Sequence, residues 1–491
     1  MRCTGSPTLE REEGLPMTTA SNEFGGRTVA VIGMARTGLA AAPVLQRLGA
    51  RVILSDSRDT EDLRRQAAEI EPTGIAVRLG ATPAEALADA SAVVTSPGVR
   101  RDAPVLREAL HRCLEVISEI ELAYRVARAP ILAVTGTNGK TTCAAMLADV
   151  LRTAGRPTWL AGNIAADDIK QALVSAAAAA SREDVIVGEV SSFQLEWVQR
   201  FRPVVGILTN VTPDHQDRHP SFADYVECKA RLFAAQRPGD VAVLKAVNAP
   251  ARQIARRIRS TPLWFDRGAC LDAACASVRE GRFVVRWHDA EHVLERVDRL
   301  RIPGVHNVEN ALAVAGAAIA FGVPEEAINQ ALRTFSGVPH RLERVAEIDG
   351  VLYINNSMCT NVDAAVRSLE AMHRPTVVIA GGRDKNTDFA PLGAAIARRV
   401  RRLILLGEAA GLIEEAVRSH GFDAIDRADS LEDAVVLARR AARPGDAVML
   451  SPACTSFGMF ADFEDRGRAF RDAVRRIEKK AVTNGHSNGV R

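Results

Sequence analysis

The stretch Val134-Thr135-Gly136-Thr137-Asn138-Gly139-Lys140-Thr141-Thr142 decides how the rest of this chain is interpreted. The apolar run 131–134 is typical of a buried strand, and residues 142–151 carry the apolar spacing of a helix. A glycine-bearing turn from strand to helix points backbone N–H groups at the helix N-terminus, where anions are favoured. The sequence therefore predicts a phosphate-binding loop inside an α/β domain.

Two side chains of this loop suit phosphate and metal chemistry. Lys140 would reach the terminal phosphates of a nucleotide, and Thr141 would place its hydroxyl on Mg²⁺. The usual P-loop has a glycine where this chain has Val134, so the loop is a variant. A strand–turn–helix that carries Lys-Thr by chance is the alternative. We predict that ATP is bound by Gly136, Thr137, Asn138, Gly139, Lys140, Thr141 and Thr142.

Length and charge bound the function classes. The 491 residues are enough for about three domains of roughly 150 residues each. The chain has 63 Lys and Arg against 60 Asp and Glu, a net charge of +3. This balance gives no electrostatic argument for nucleic acid or an anionic membrane as a partner. The longest apolar and glycine stretch, near 311–323, is shorter than the ~18 residues of a spanning helix, which predicts a soluble protein.

The N-terminal extension and the cysteines favour a cytoplasmic protein. Residues 1–25 are polar and have no apolar core, so they are predicted to be disordered rather than a signal peptide, and Met17 is a second candidate start. The eight cysteines are scattered and form no C-x-x-C pair. The cysteines are therefore expected to form neither a metal site nor a disulfide framework, and this pattern fits a reducing cytoplasm. The tail 481–491 is predicted to be flexible.

Residues 26–121 are predicted to form a Rossmann-like domain. Short β-rich runs alternate with helical patterns, which is typical of a parallel sheet with helices on both faces. The predicted strands are Val29–Ile32, Val52–Ser55, Ala76–Arg78, Ala92–Thr95 and Glu115–Ile117.

A turn in this first domain indicates nucleotide binding. Residues 33–38 resemble a dinucleotide fingerprint in which Ala35 replaces the middle glycine. Asp56 follows the next strand, where ribose or base recognition would occur, and Ser96 begins a loop on the same sheet edge. From the residues alone, an NAD-dependent oxidoreductase stays open.

Residues 122–336 are predicted to form a central P-loop ATPase-type α/β domain. Its further strands are Val185–Glu189, Val204–Thr209 and Val241–Lys245. Glu189 and the polar loop 210–219 follow two of them, so both should lie at the carboxyl edge of the sheet beside the phosphate loop. Glu189 is a candidate Mg²⁺ ligand because Mg²⁺ prefers oxygen, whereas a loop histidine such as His215 is more typical of a protein surface.

Residues 337–480 show a third α/β pattern, which predicts a C-terminal Rossmann-like domain. The predicted strands are Val351–Ile354, Thr376–Ala380, Arg402–Leu406 and Ala447–Leu450. The loops 381–385 and 451–454 follow two of these strands and carry polar residues.

Several short motifs occur in a characteristic order along the chain. They are T-G-T-N-G-K-T-T at 135–142, G-E-V-S-S-F-Q-L-E at 188–196, N-V-T-P-D-H at 210–215, G-V-H-N-V-E-N-A at 304–311, P-H-R at 339–341 and S-P-A-C-T-S-F at 451–457. Together these motifs resemble the Mur ligase family, and the resemblance covers residues 28–478.

The resemblance implies an ATP-dependent amide ligase of peptidoglycan precursor synthesis in the cytoplasm. Its substrates would be UDP-N-acetylmuramoyl-L-alanine and D-glutamate, with ATP and Mg²⁺ as cofactors and a monomeric enzyme. The γ-phosphoryl group would pass to the alanine carboxylate, and the amine of the amino acid would then attack the acyl phosphate. Both steps gather negative charge, which Mg²⁺ and Lys140 would stabilise.

The resemblance also implies roles for individual residues. Lys229 would be carbamylated and would hold a second Mg²⁺ with His215, in a catalytic and metal-binding group with Lys140, Thr141 and Glu189. Asn310, Arg341 and Asn356 would contact ATP. The UDP-sugar residues would be Arg36, Thr37, Asp56, Ser57, Arg58, Ser96, Asn163 and Ser191. The amino-acid residues would be Thr360, Lys385, Ser456 and Phe463.

Three positions depart from the family pattern. Asn356 stands where aspartate is common, Met358 where lysine is common, and Gly458 where aspartate is usual. Because Met358 supplies no cation, a different acceptor, L-glutamate or another amino acid, stays open. A homologue that binds a UDP sugar without catalysis is the other alternative.

Overall fold

The computed structural model describes residues 23–164, 171–215, 218–268, 272–302, 304–384 and 387–487. They divide into two compact units, one of residues 23–301 with 305–335 and the other of 302, 304 and the residues from 336 onward. Of the predicted disordered extension 1–25, residues 1–22 lie outside the described residues, as does the predicted role of Lys385, whereas Phe24 is buried. The predicted α/β class is confirmed.

The first sheet has five parallel strands in the order β3-β2-β1-β4-β5. Strands β1 and β4 are buried throughout, as expected when helices cover both faces of a parallel sheet. The elements are β1 Thr28–Ile32, α1 Arg36–Arg47, β2 Arg51–Asp56, α2 Glu61–Ile70, β3 Ala76–Leu79, α3 Pro83–Ala86, β4 Ala92–Thr95, α4 Pro104–His111, β5 Glu115–Ser118 and α5 Glu119–Val126.

The second sheet has nine strands in the order β14-β13-β12-β11-β10-β9-β6-β8-β7. The elements are β6 Ile131–Thr135, α6 Lys140–Thr153, β7 Thr158–Gly162, α7 Leu173–Ala179, β8 Val185–Glu189, α8 Ser192–Leu195, β9 Val205–Leu208, α9 Phe222–Ala230, β10 Val241–Lys245, α10 Ala249–Ala255, β11 Thr261–Phe265, β12 Cys275–Arg279, β13 Arg282–Trp287, β14 Ala290–Arg296, α11 Val305–Ala320 and α12 Glu325–Thr334.

The position of β6 in this sheet places the phosphate loop. Strand β6 pairs in parallel with β8 on one side and with β9 on the other. The carboxyl ends of all three strands therefore meet at one edge, which is where open α/β sheets bind ligands.

The first and second sheets share one hydrophobic core. Phe24, Leu122, Leu173 and Phe201 belong to a single buried cluster that continues from one sheet to the other. A buried carboxylate reinforces this connection, because Glu121 Oε2 accepts three successive backbone N–H groups, those of residues 199, 200 and 201, each at 2.9 Å.

The third sheet forms the second unit, with six strands in the order β15-β16-β20-β17-β18-β19. Only the β15–β16 pair in it is antiparallel among the described strands. The elements are β15 Glu343–Ile348, β16 Val351–Asn355, α13 Val362–Glu370, β17 Thr376–Gly381, α14 Ala390–Arg399, β18 Val400–Leu406, α15 Ala410–Arg418, β19 Ile425–Arg427, α16 Leu431–Ala441, β20 Ala447–Leu450 and α17 Phe463–Ser487.

The cysteines differ from the sequence expectation at one position. Cys113, Cys143, Cys228, Cys359 and Cys454 form no disulfide bond. Cys275 is disulfide-bonded, so the expected absence of disulfides does not hold there. It begins β12 and is buried, and spacing along the chain does not reveal such pairings. None of the helices in the described part of the chain combines the length and the apolar character that crossing a bilayer requires.

Candidate functional site

The phosphate loop needs its two glycines for steric reasons. Gly136 has φ +148° and Gly139 has φ +84°, in the region that favours glycine. A Cβ atom on Gly136 would lie 1.9 Å from Thr209 Oγ1, and one on Gly139 would lie 2.4 Å from Asn310 Oδ1. The loop is therefore wedged between β9 and α11, and α6 begins directly after it.

Two residues that directly follow β9 hydrogen-bond to the phosphate loop. Thr209 Oγ1 donates to Asn138 O at 2.5 Å. Asn210 Oδ1 accepts the Asn138 N–H at 3.0 Å, and Asn210 O accepts the Thr137 N–H at 2.9 Å. Sequence reasoning did not select Thr209 or Asn210, although their place at a strand end beside the phosphate loop was the available signal.

Two lysine side chains converge on one carbonyl group. Lys140 Nζ donates to Gly136 O and to Thr137 O, both at 3.0 Å. Lys229 Nζ donates to the same Gly136 O at 2.8 Å and lies 4.6 Å from the centroid of the Tyr225 ring. The structure thus brings together Lys140 and Lys229, two of the three lysines assigned to the site at the sequence level.

The buried position of Lys229 favours its neutral form. The residue is 1% exposed, and its pKa is lowered well below the ordinary value of 10.5, first by burial and then by the charge of Lys140. A neutral amine is what reaction with CO₂ requires.

Glu189 lies at the end of β8 and faces the phosphate loop. Its carboxylate is buried, and Oε2 accepts the Thr141 hydroxyl at 2.7 Å. Oε1 accepts the Asn163 Nδ2 amide at 3.2 Å. Glu189, Thr141 and Asn163 therefore form one connected group.

The donor set at Glu189 fits a magnesium ion that is bound partly through substrate. Among the residues that the structure describes, no group of three or more His, Cys, Asp or Glu could enclose a metal. Mg²⁺ keeps several waters and is commonly held by one or two carboxylates together with phosphate oxygens. One carboxylate and one hydroxyl beside a phosphate loop meet that description.

His215 lies on the wall formed by Phe193 and Tyr225. Its ring centroid is 4.9 Å from that of Phe193 and 6.1 Å from that of Tyr225, and its side chain is about half exposed. The Tyr225 hydroxyl is 3.2 Å from Thr137 Oγ1, so this wall adjoins the phosphate loop. Tyr225 was not selected from the sequence.

Asn310 packs under the phosphate loop. Its Nδ2 donates to Asn307 Oδ1 at 3.1 Å, and both residues are buried. Cys143 Sγ of α6 lies 3.4 Å from Asn310 Oδ1. Asn307 is a further site residue that sequence reasoning missed.

Asp56 is a buried anchor of the first domain. Its Oδ2 accepts the Met34 N–H and its Oδ1 accepts the Arg58 N–H, each at 3.0 Å. Burial tends to raise the pKa of Asp56, but hydrogen bonds from Arg58 and Met34 outweigh it and lower the pKa from 3.8. Asp56 therefore stays ionised and orders the turn between β1 and α1.

The other predicted residues of this sheet edge lie near that turn. Ser96 Oγ donates to Gly33 O at 3.0 Å, and Thr37 is buried, whereas Ser57 is exposed. Arg36 donates to Gly162 O and Ile164 O, both at 3.1 Å, so its guanidinium points to the central domain.

Ser191 caps the short helix α8. Its Oγ accepts the Gln194 N–H at 3.3 Å, while Gln194 Oε1 accepts the Ser191 N–H at 2.9 Å. This reciprocal capping box fixes the chain directly after Glu189.

The predicted residues of the second unit form a separate group. The Asn356 side chain is buried, accepts the Leu342 N–H at 3.2 Å and donates to Ser368 Oγ at 2.8 Å. Ser456 is buried, and Arg341, Thr360 and Phe463 are half-buried.

Arg466, which the sequence reasoning missed, organises this second group. It is buried and donates to Ser357 Oγ at 3.0 Å and to Cys454 O at 3.1 Å. Ser357 Oγ in turn donates to Phe463 O at 2.6 Å. Burial lowers the pKa of Arg466 to about 10.

Family models match most of the chain. The model described as Mur ligase MurD-like, N-terminal domain matches residues 27–118, and the Mur ligase middle domain matches residues 134–318. The Mur ligase, glutamate ligase domain matches residues 340–454.

Relatives of known name extend over the same length. A Pelotomaculum thermopropionicum protein named UDP-N-acetylmuramoylalanine–D-glutamate ligase is 42% identical over 457 residues, which span 93% of this chain and 99% of that protein. The protein of that name from Caldanaerobacter subterraneus is 39% identical, over 92% of this chain and 99% of its own length.

A solved structure shows the same fold. It is the UDP-N-acetylmuramate–alanine ligase of Thermotoga maritima, with a TM-score of 0.56 and 19% sequence identity. The match covers 92% of this chain and 100% of that one.

Proposed function

This chain belongs to the Mur ligase family, and we propose that it joins D-glutamate to UDP-N-acetylmuramoyl-L-alanine with ATP as the phosphoryl donor. The observation that carries the proposal is the convergence of Lys140, Lys229 and Glu189 on the phosphate loop at the end of β6. An NAD-dependent oxidoreductase would need neither lysine there.

The chemistry requires activation of a carboxylate. A carboxylate does not react with an amine at neutral pH because oxide is a poor leaving group. One carboxylate oxygen of the alanine therefore attacks the γ-phosphorus of ATP, and ADP leaves. The amine of glutamate then attacks the acyl carbon, loses a proton, and expels phosphate.

The phosphate loop and its lysines would stabilise the transferring group. The N–H groups of the loop and the start of α6 favour the nucleotide phosphates. Lys140 now donates to two loop carbonyls, and we propose that it turns to the γ-phosphate when ATP binds. Bound Mg²⁺ would neutralise charge on the phosphoryl oxygens.

Glu189 and Thr141 would hold the magnesium ion together with ATP. Their hydrogen bond at 2.7 Å places a carboxylate and a hydroxyl together, directly beside the loop. The same proposal gives Asn310 and Asn307 the nucleotide side of the loop.

Lys229 would become a carbamate. Its neutral amine attacks the carbon of CO₂ and loses a proton. A carboxylate then stands where the structure has the Lys229 amine, which donates to Gly136 O. That carboxylate would hold a second Mg²⁺ together with His215 and would relieve the charge repulsion from Lys140.

The first domain would bind the UDP sugar. The ordered turn between β1 and α1, with Thr37, Ser96 and the Asp56–Arg58 pair, would contact the nucleotide end. Asn163 and Ser191 would lie toward the muramoyl-alanine end. Arg341 and Asn356 would complete ATP binding.

The acceptor site would lie in the second unit. Lys385 and Thr360 would hold one carboxylate of glutamate, and Ser456 with the backbone at Phe463 would hold the other. The relatives named as D-glutamate ligases support this acceptor. Since Met358 replaces a cation, relaxed stereoselectivity is the outcome to examine first.

The cellular setting belongs to the same proposal. We place the enzyme in the cytoplasm as a monomer, with domains at 26–121, 122–336 and 337–480.

The test is phosphate release from ATP by the full chain with UDP-N-acetylmuramoyl-L-alanine and one amino acid at a time. We expect D-glutamate to support release at least tenfold faster than L-glutamate, lysine or meso-diaminopimelate. A clear preference for another amino acid would refute the acceptor, and no release with any of them would refute the ligase.

A further inference from the structure

Two side chains of the first domain contact the described residues on either side of the loop between β7 and α7, residues 162 and 164 before it and Val174 after it. Arg36, the first residue of α1, donates from Nη2 to Gly162 O and from Nη1 to Ile164 O, both at 3.1 Å. Glu119, the first residue of α5, accepts the Val174 N–H on Oε1 at 2.7 Å. The loop itself belongs to the central domain.

The two carbonyls that Arg36 binds flank Asn163. Asn163 is in turn attached to Glu189 twice, through its N–H to Glu189 O at 2.9 Å and through Nδ2 to Oε1 at 3.2 Å. Gly162 has φ +103°, and a Cβ atom there would lie 2.2 Å from Glu189 O. Gly162 and Asn163 therefore lie directly against the end of β8, the strand that ends in Glu189.

Glu119 is buried against a guanidinium and several hydrogen-bond donors. It is 1% exposed, and its Oε2 has no hydrogen-bond partner in the described structure. The facing groups are the Arg36 guanidinium, the Gln194 side-chain amide and the backbone amides of residues 173 and 174. Burial raises the pKa of Glu119 to about 7, against the effects of the Val174 amide and Arg36.

We propose that Arg36 and Glu119 are positioning residues that hold the Asn163 amide on Glu189. Together they fix the orientation of the carboxylate that faces the phosphate loop. Both Nη groups of Arg36 are occupied by carbonyl oxygens, which is the geometry of a structural clamp. The consequence for metal binding rests on the proposed role of Glu189.

The clamp connects the two domains through short contacts only. The sequence of contacts is Arg36 to the carbonyls at 162 and 164, Asn163 to Glu189, and Glu189 to the Thr141 hydroxyl at 2.7 Å. Each of these contacts is made by one or two hydrogen bonds with a defined donor and acceptor. A substitution at Arg36 should therefore have a larger effect on Asn163 than on the phosphate loop.

Hydrogen–deuterium exchange tests the clamp without any substrate. In Arg36→Met we expect the Asn163 N–H to exchange at least tenfold faster than in wild type, because the residues on either side of Asn163 are no longer held by their carbonyl groups. Arg47→Met, at the exposed end of the same helix, is the matched control and should leave the rate unchanged. Equal rates at Asn163 in the two variants would overturn the proposal.

Two milder variants keep the test readable if Arg36→Met does not fold. Arg36→Lys retains the charge but cannot bridge two carbonyls, and Glu119→Gln retains the shape without the charge. Circular dichroism would verify folding. Both variants should also show faster exchange at Asn163, and unchanged exchange in both would overturn the proposal.

Metal affinity separates a clamp from a direct phosphate ligand. With ATP present, we expect Arg36→Lys to weaken Mn²⁺ binding, followed by electron paramagnetic resonance, at least threefold. Weaker UDP-sugar binding with unchanged Mn²⁺ affinity and unchanged exchange would make Arg36 a substrate contact and overturn the proposal. Because the exchange measurement uses no substrate, it stays interpretable even if the ligase assay fails.

Discussion

Two lysines share one backbone carbonyl at the phosphate loop, and this arrangement suits only an anionic ligand. Lys140 and Lys229 both donate to Gly136 O, and the positive charge of Lys140 contributes to the lowered pKa of Lys229. A triphosphate or a carbamate would remove that conflict by supplying negative charge. The positive charge at the loop therefore predicts how a substitution of each lysine changes activity and stability.

Lys140→Ala should abolish turnover and leave the fold intact. The change removes the cation from the phosphate site, and we expect a rate loss of at least a thousandfold, about 4 kcal/mol of transition-state stabilisation. The measurement is ATP-dependent ligation together with circular dichroism. Arg152→Ala, at the exposed end of the same helix, is the control. Ligation near the wild-type rate would contradict the assignment of the loop.

Lys229→Met should stabilise the protein at neutral pH while it removes activity. The folded-state pKa of Lys229 lies well below its unfolded value of 10.5, so between these two values the unfolded chain binds more protons than the folded chain and stability rises with pH. Methionine has no such pH dependence, and we expect a gain on the order of 1 kcal/mol at pH 7.

Urea unfolding at pH 7 and pH 10 in buffer free of CO₂ would measure this difference. The advantage of the methionine variant should shrink at the higher pH as the unfolded lysine also loses its proton. A variant less stable than wild type at pH 7, or a constant difference at both pH values, would show that Lys229 is not held neutral.

At the scale of the element, the phosphate loop is a strand–turn–helix unit with one steric constraint at each glycine. Gly139 combines a positive φ with a close approach to Asn310, whereas Gly155, after α6, has φ +74° and open space around its Cβ position. A comparison of alanine at Gly139 and at Gly155 therefore separates the cost of a positive φ from the cost of a steric overlap.

Gly139→Ala should weaken ATP binding at least tenfold and cost more stability than Gly155→Ala. Both changes place alanine at positive φ, which costs about 1–2 kcal/mol, but only Gly139→Ala also displaces the Asn310 amide. Titration calorimetry with ATP and urea unfolding are the measurements. Equal effects of the two substitutions would mean that the contact with Asn310 does not shape the site.

The strands that carry the site could be predicted from sequence, and the side-chain contacts between them could not. Buried parallel strands such as β6 and β8 are continuous apolar runs, so the predicted ends lie within two residues of the observed ones. The sequence did not predict β7, β11, β15 or β19, nor the extension β12–β14, whose strands alternate with charged residues and pair only in the folded protein.

Site residues could be predicted where a local sequence pattern marks them. Lys140, Thr141 and Glu189 follow directly from strand ends and the glycine loop. The contacts of Arg36 and Glu119 do not, since their partners lie 126 and 55 residues away along the chain. Such contacts depend on tertiary packing, which no window of sequence contains.

At the scale of the whole molecule, a buried ionic network joins the first two sheets. Glu121 accepts three backbone N–H groups from residues 199–201, and its Oε1 pairs with Arg125 Nε at 3.0 Å. Arg125 also pairs with Glu23 and Glu115. Both Glu121 and Arg125 are buried, so a missing partner would leave a charge without compensation.

Glu121→Gln should destabilise the unit by about 3 kcal/mol, because it leaves part of the Arg125 charge unpaired and weakens the hydrogen bonds to residues 199–201. Glu69→Gln on the exposed face of α2 is the control and should change stability by less than about 0.5 kcal/mol. Thermal unfolding measures both. Equal melting temperatures would show that the network does not hold the two sheets together.

The central claim is that the alanine carboxylate is activated by phosphorylation, and isotope transfer tests it most directly. UDP-N-acetylmuramoyl-L-alanine labelled with ¹⁸O in that carboxylate would be converted with ATP and D-glutamate, and the released phosphate analysed by mass spectrometry. The account predicts one ¹⁸O atom in each phosphate, because the carboxylate oxygen that attacks the γ-phosphorus leaves with it. Unlabelled phosphate accompanied by ligated product would contradict the acyl-phosphate mechanism.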